Sequence, residues 1–123
     1  MDGRLKLLIV LSPVALWQAL TPDVILHYSS DASSELNYIW NTHHRIYKRS
    51  LRPGETTGDY GPLFQRDDFF MEFDWWNNKG ISGCISIDPQ WPRTHIYLDA
   101  KGLVDTSPQS GTDVEQLKPC GSN

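Results

Sequence analysis

Two cysteines, four histidines and fifteen acidic side chains are the groups in this 123-residue chain best able to do chemistry. Cys84 and Cys120 stand far apart, and neither belongs to a Cys-x-x-Cys pair. An even count of this kind predicts one structural disulfide, closing a loop of about 37 residues, ahead of redox catalysis or a thiolate zinc site. His43, His44 and His95 could be gathered with Asp67, Asp68 and Asp99 as a borderline metal site, but their spacing fits no established ligand pattern. His43 and His44 are adjacent, so on a strand they would point to opposite faces. Asp99-Ala100-Lys101-Gly102 lacks the alternating ligands of a calcium loop. No metal ligand and no cofactor is expected.

Glu72 and Asp74 would lie on one face of a strand about 7 Å apart, a pairing that could in principle serve glycoside hydrolysis. The plainer account is two solvated carboxylates on the polar side of a half-buried strand. No Gly-x-Ser-x-Gly elbow and no phosphate loop accompany them, so no catalytic residue is assigned and enzymatic activity is not expected. The run His43-His44-Arg45-Ile46-Tyr47-Lys48-Arg49-Ser50-Leu51-Arg52 mixes cations with an aromatic ring. It suits an edge strand whose charges resist aggregation, or a patch that docks an acidic protein surface. Arg45, Tyr47, Arg49 and Arg52, with the aromatics Tyr60, Trp76 and Trp91, are the binding candidates; exposed aromatics serve protein anchoring and sugar stacking equally well.

The net charge of −4 is unevenly spread. Residues 36–66 hold five Lys or Arg against Glu55 and Asp59, whereas residues 67–123 hold four against nine. That balance disfavours nucleic acid as a partner. At the N-terminus, Arg4 and Lys6 precede the uncharged run Leu7–Leu20, bounded by Thr21-Pro22-Asp23. Its helical length of roughly 21 Å is short for a bilayer core of roughly 30 Å and matches the apolar part of an export signal. Trp17 spoils a cleavage site after Ala19, so an uncleaved signal anchor is the alternative, with Val24-Ile25-Leu26 near the far interface. Basic residues lie before the run and none follows it until Arg45, which predicts a cytoplasmic N-terminus and an exported remainder. Residues 1–28 are accordingly assigned to the signal or anchor, 29–35 to a linker and 36–123 to one exported domain.

The elements that would position these groups follow a period of two. In Asp68–Trp76, Phe69, Met71, Phe73 and Trp75 share one face, and after Asn77-Asn78-Lys79-Gly80 the run Ile81–Ile87 alternates again. Keeping apolar faces together predicts a hairpin with Trp75 opposite Ile81 and Phe73 opposite Gly83. Thr94–Leu98, Asp99–Gly102 and Leu103-Val104 suggest a second hairpin, while Leu36–Trp40 and Arg45–Arg49 are weaker strands and 51–62 is expected to be loop. Thr112-Asp113-Val114-Glu115 fits a capping box opening a short helix to about Lys118. The expected fold is mainly β: a small antiparallel β-sandwich or half-open barrel with one short C-terminal helix, preceded by the N-terminal apolar helix.

Together these features lead to the expectation of a small exported domain of the periplasm or cell envelope, anchored in the inner membrane through its N-terminal segment. It would act as a non-enzymatic protein-binding module for an envelope partner, of which an inhibitor or immunity protein is one form. The alternative is a carbohydrate-binding or hydrolytic domain using Glu72, Asp74 and exposed Trp and Tyr side chains.

Overall fold

The structure is a computed structural model that describes residues 21–43, 45–62 and 68–120. Among these the chain forms strands β1 (Asp23–Tyr28), β2 (Leu36–Thr42), β3 (Arg45–Leu51), β4 (Thr56–Tyr60), β5 (Met71–Trp76), β6 (Ser82–Ile87), β7 (Arg93–Leu98) and β8 (Leu117–Pro119). They assemble into a three-stranded sheet, β4-β1-β7, and a five-stranded sheet, β3-β2-β5-β6-β8. Alternation explains the core. Met71, Phe73 and Trp75 point inward from β5, Leu36, Tyr38 and Trp40 from β2, and Ile85 and Ile87 from β6. They join Val24, Leu26 and Tyr28 of β1 and Ile96 and Leu98 of β7 in one buried cluster, so the sheets share a core in a sandwich-like arrangement with no closed barrel among the described residues.

The five-stranded sheet is antiparallel throughout, as alternation and short connections predict. In the smaller sheet β1 runs antiparallel to β4 but parallel to β7, so the expectation of a purely antiparallel fold is corrected. The physical reason is topological: the chain leaves β1 at Tyr28, passes through the intervening strands and enters β7 at Arg93, beside the start of β1, a long crossover that parallel neighbours require. Residues 23–28, within the segment assigned to the signal or anchor, form strand β1. Val24 and Leu26 are fully buried at the centre of the smaller sheet, so the β domain already includes Asp23–Tyr28, and 29–35 links β1 to β2. The apolar run itself lies outside the described residues, as do His44 and Asp67. No helix of the described residues is long and apolar enough to cross a membrane.

Three local expectations are revised. The β5–β6 hairpin pairs Trp75 with Gly83 and Phe73 with Ile85, two residues away from the predicted register. Both registers keep the apolar faces together; the connection decides between them. Asn77 Oδ1 accepts from the N–H groups of Lys79 and Ile81 at 2.9 and 3.0 Å, and Asn77 N–H donates to Ile81 O, which holds Ile81 opposite Asn77 instead of Trp75. The loop expected at 51–62 contains β4, paired with β1. The C-terminal helix shrinks to one 3-10 turn, Val114–Gln116, followed by β8. Its would-be capping residues are spent on β7: Thr112 Oγ1 accepts from Tyr97 N–H at 3.1 Å and Asp113 Oδ2 from His95 N–H at 2.7 Å. Cys84 and Cys120 form the expected disulfide, with Cα atoms 5.5 Å apart, and it pins the end of β8 beside β6.

Candidate functional site

Among the described residues the larger sheet ends at β3, whose only strand neighbour is β2. A seven-residue edge strand leaves a row of backbone donors and acceptors open to solvent, and every residue of β3 except Leu51 is exposed. The opposite edges are treated differently. The outer edge of β7 is occupied by the segment 105–113, through Asp105 N–H to Tyr97 O, Asp113 N–H to His95 O, and the two side-chain bonds above. The outer edge of β8 is three residues long and ends in a proline.

Each β3 cation lies over an aromatic ring. The Arg45 guanidinium is 4.1 Å from the Tyr60 ring centre, Arg49 is 5.0 Å from Tyr47, and the Lys48 ammonium is 5.7 Å from Trp76. Five of the seven binding candidates are thereby gathered along one edge. Arg45 also fastens the two sheets together, with bonds to Asp59 Oδ1 at 3.0 Å and to the Tyr60 carbonyl at 2.8 Å. Beneath the edge, Trp40 Nε1–H donates to Thr57 Oγ1 at 3.1 Å, and Thr57 donates to the Tyr38 hydroxyl at 2.8 Å. Thr42 donates to Asp59 Oδ2. Burial pushes the Tyr38 hydroxyl above its ordinary pKa, keeping it a neutral hydrogen-bonding group. The exposed edge therefore rests on a rigid, hydrogen-bonded floor. Ile46, 72% exposed, is the second residue of this cationic strand and its most prominent apolar side chain.

The remaining candidates stand elsewhere. Arg52 lies in the β3–β4 turn, where its N–H donates to Glu55 Oε1 and its carbonyl accepts from Glu55 N–H. Trp91 is exposed in the β6–β7 connection, before a cis bond to Pro92, and that connection is tied to the start of β1 by Asp23 N–H donating to Pro92 O. Glu72 and Asp74 do share the outer face of β5, opposite Asn41 and Ile39 of β2. That face is an open sheet surface, and the Trp76 ring beside them is covered by Lys48 rather than displayed for a sugar. Glu72 approaches Cys84 and Cys120, but the disulfide leaves those sulfurs without thiolates to offer a metal.

The histidines separate. His43, at φ 52°, occupies the β2–β3 turn with its ring against Phe69 and Phe70, whereas His95 lies on β7 facing the outside of the smaller sheet. Its partner is His27 of β1, a residue that hydropathy had assigned to the N-terminal segment. Burial, and then the neighbouring His95, hold the His27 imidazole below its ordinary pKa. Period two over Asp23–Tyr28 would have revealed this residue, had the apolar run beside it not absorbed the segment. Ile46 and Lys48 were within the basic run, yet only the edge position of β3 singles them out. No protein-family model, curated protein or solved structure matches the chain.

Proposed function

We propose that this chain is a small exported, membrane-anchored envelope domain that acts as a non-enzymatic protein-binding module, with β3 as its docking edge. The observation that carries this is the contrast among the four edges: β7 is occupied by its own C-terminal segment, β8 is three residues long, and β4 is five residues long with no cation, while β3 is seven residues long, exposed and cationic. Protection from aggregation would account for the charges alone. It does not account for Ile46, exposed near the start of the strand, or for cations already ordered over aromatic rings and so ready to meet carboxylates at low entropic cost. The partner implied is an acidic, extended segment that adds a strand to β3 and takes Ile46 and Tyr47 as anchors. The disulfide supports an oxidising compartment, and the basic flank of the Leu7–Leu20 run supports export with the N-terminus retained in the cytoplasm. An inhibitor or immunity protein for an envelope-active enzyme is one form such a module takes.

A photo-crosslinking residue placed at Ile46 in the full chain, expressed in cells, should capture a discrete protein adduct that the same residue at Ser82 does not. The adduct should vanish when Lys48 and Arg49 are both changed to Glu. Equal labelling from both positions, or glycan-array binding with turnover lost in Glu72→Gln, would replace this proposal with the carbohydrate alternative.

A further inference from the structure

His27 and His95 sit on adjacent parallel strands, β1 and β7, with Nε2 of the first 3.2 Å from Nδ1 of the second. Both side chains are half-exposed on the outer face of the smaller sheet, so small solutes can reach them. The His27 ring is stacked flat on Tyr97, with centroids 4.2 Å apart and planes 6° from parallel. That stack fixes the plane of one imidazole while the strands fix the separation of the two backbones. Two imidazole nitrogens bound to one tetrahedral ion at about 2.0–2.1 Å lie about 3.3 Å apart, and about 2.9 Å apart at a right angle. The observed spacing falls between these values.

We infer that His27 and His95 form a two-histidine site for a divalent late transition-metal ion. The ion would be held by Nε2 of His27 and Nδ1 of His95, with the ring protons on His27 Nδ1 and His95 Nε2. The two nitrogens now face one another across a hydrogen bond, so an ion would replace the shared proton, and both rings would turn until their lone pairs converge on it. No third His, Cys, Asp or Glu ligand atom joins this pair among the described residues, so solvent completes the coordination and leaves open positions. Imidazole donors without thiolate favour copper(II), nickel(II) and zinc(II), with copper(II) bound most tightly. The site is independent of the β3 edge, so its test does not depend on the docking proposal.

Copper(II) added to the full, tag-free chain in detergent should give an electron paramagnetic resonance spectrum with two equatorial imidazole nitrogens. His27→Asn and His95→Asn should each reduce this to one and weaken binding at least tenfold, with thermal melts in the absence of metal confirming that each variant folds. His27→Gln and His95→Gln serve as second variants if either Asn form does not fold. A His43→Asn control should bind as the parent does. A single-nitrogen spectrum in the parent, or unchanged affinity in both the His27 and His95 variants, would overturn the site and leave only a hydrogen-bonded pair.

Discussion

Gly83 shows how one missing side chain sets the packing around it. A Cβ at this position would overlap Cζ2 of the Trp75 ring and lie 2.6 Å from Cε2 and 2.7 Å from Cη2. Trp75 cannot easily move aside, because its Nε1–H donates to Gly102 O at 2.8 Å in a buried bond. Gly83→Ala should therefore cost about 1–3 kcal/mol in chemical denaturation, and much of that loss should disappear in a Trp75→Phe background. Additive losses would mean that the ring is not the obstacle. The predicted contact of Gly83 with Phe73 was displaced by two residues, since hydrophobic alternation is blind to even shifts of register and Asn77, a single polar side chain, decides among them. Tyr38 yields a second expectation. Its folded pKa is raised by burial, so above its ordinary value near 10 the unfolded chain releases the proton first. Stability due to this group is fully present below that pH and is lost as pH rises through the folded pKa. Tyr38→Phe should lower stability at neutral pH by about 1 kcal/mol, because Thr57 loses its acceptor, yet flatten the decline above about pH 10 in denaturant titrations.

Among the elements, those that bury aliphatic or aromatic side chains in alternation were legible, and those held by polar contacts were not. β5 and β6 announce themselves through Met71, Phe73, Trp75, Ile85 and Ile87. β4 buries no aliphatic residue: Thr57 and Asp59 face inward and bond Trp40, Tyr38 and Thr42, so its sequence looks like loop. The C-terminal segment misled for the same reason, its Thr112 and Asp113 serving β7 instead of a helix. Of the candidate site, the cations and rings of β3 could be named from composition, but the rings that Arg45 and Lys48 cover depend on strand placement, Tyr60 lying on β4 and Trp76 on β5. β8 is the element most dependent on a covalent tie, with three residues paired to β6 and none of them buried. Changing Cys84 and Cys120 together to Ser should lower stability by up to about 4 kcal/mol in the chain-entropy account. Amide hydrogen exchange should show protection lost first along β8 and the facing edge of β6, with β2 and β5 still protected. Simultaneous loss across both sheets would show that β8 is integral to the core.

At the scale of the whole molecule, the strand nearest the apolar N-terminal run is the one that joins the smaller sheet together. β1 pairs with β4 on one side and with β7 on the other, and the second pairing links Asp23 to Arg93 across most of the chain. Long-range parallel pairing of this kind is slow to form and contributes little until the larger sheet is in place. Val24, Leu26 and Tyr28 are each at most 3% exposed, and burial of side chains this size contributes about 1.5–3 kcal/mol apiece. Their sum is comparable to the net stability of about 5–15 kcal/mol typical of a small domain. A cut anywhere between Tyr28 and Leu36 would separate β1 from the sheet it centres. A fragment beginning at residue 21 should fold and melt cooperatively with its disulfide formed. One beginning at residue 33 should lack a cooperative transition and expose Ile96 and Leu98, which pair and pack with β1, to a hydrophobic dye. Equal melting of the two fragments would mean that the five-stranded sheet is a self-sufficient domain and that β1 is dispensable to it.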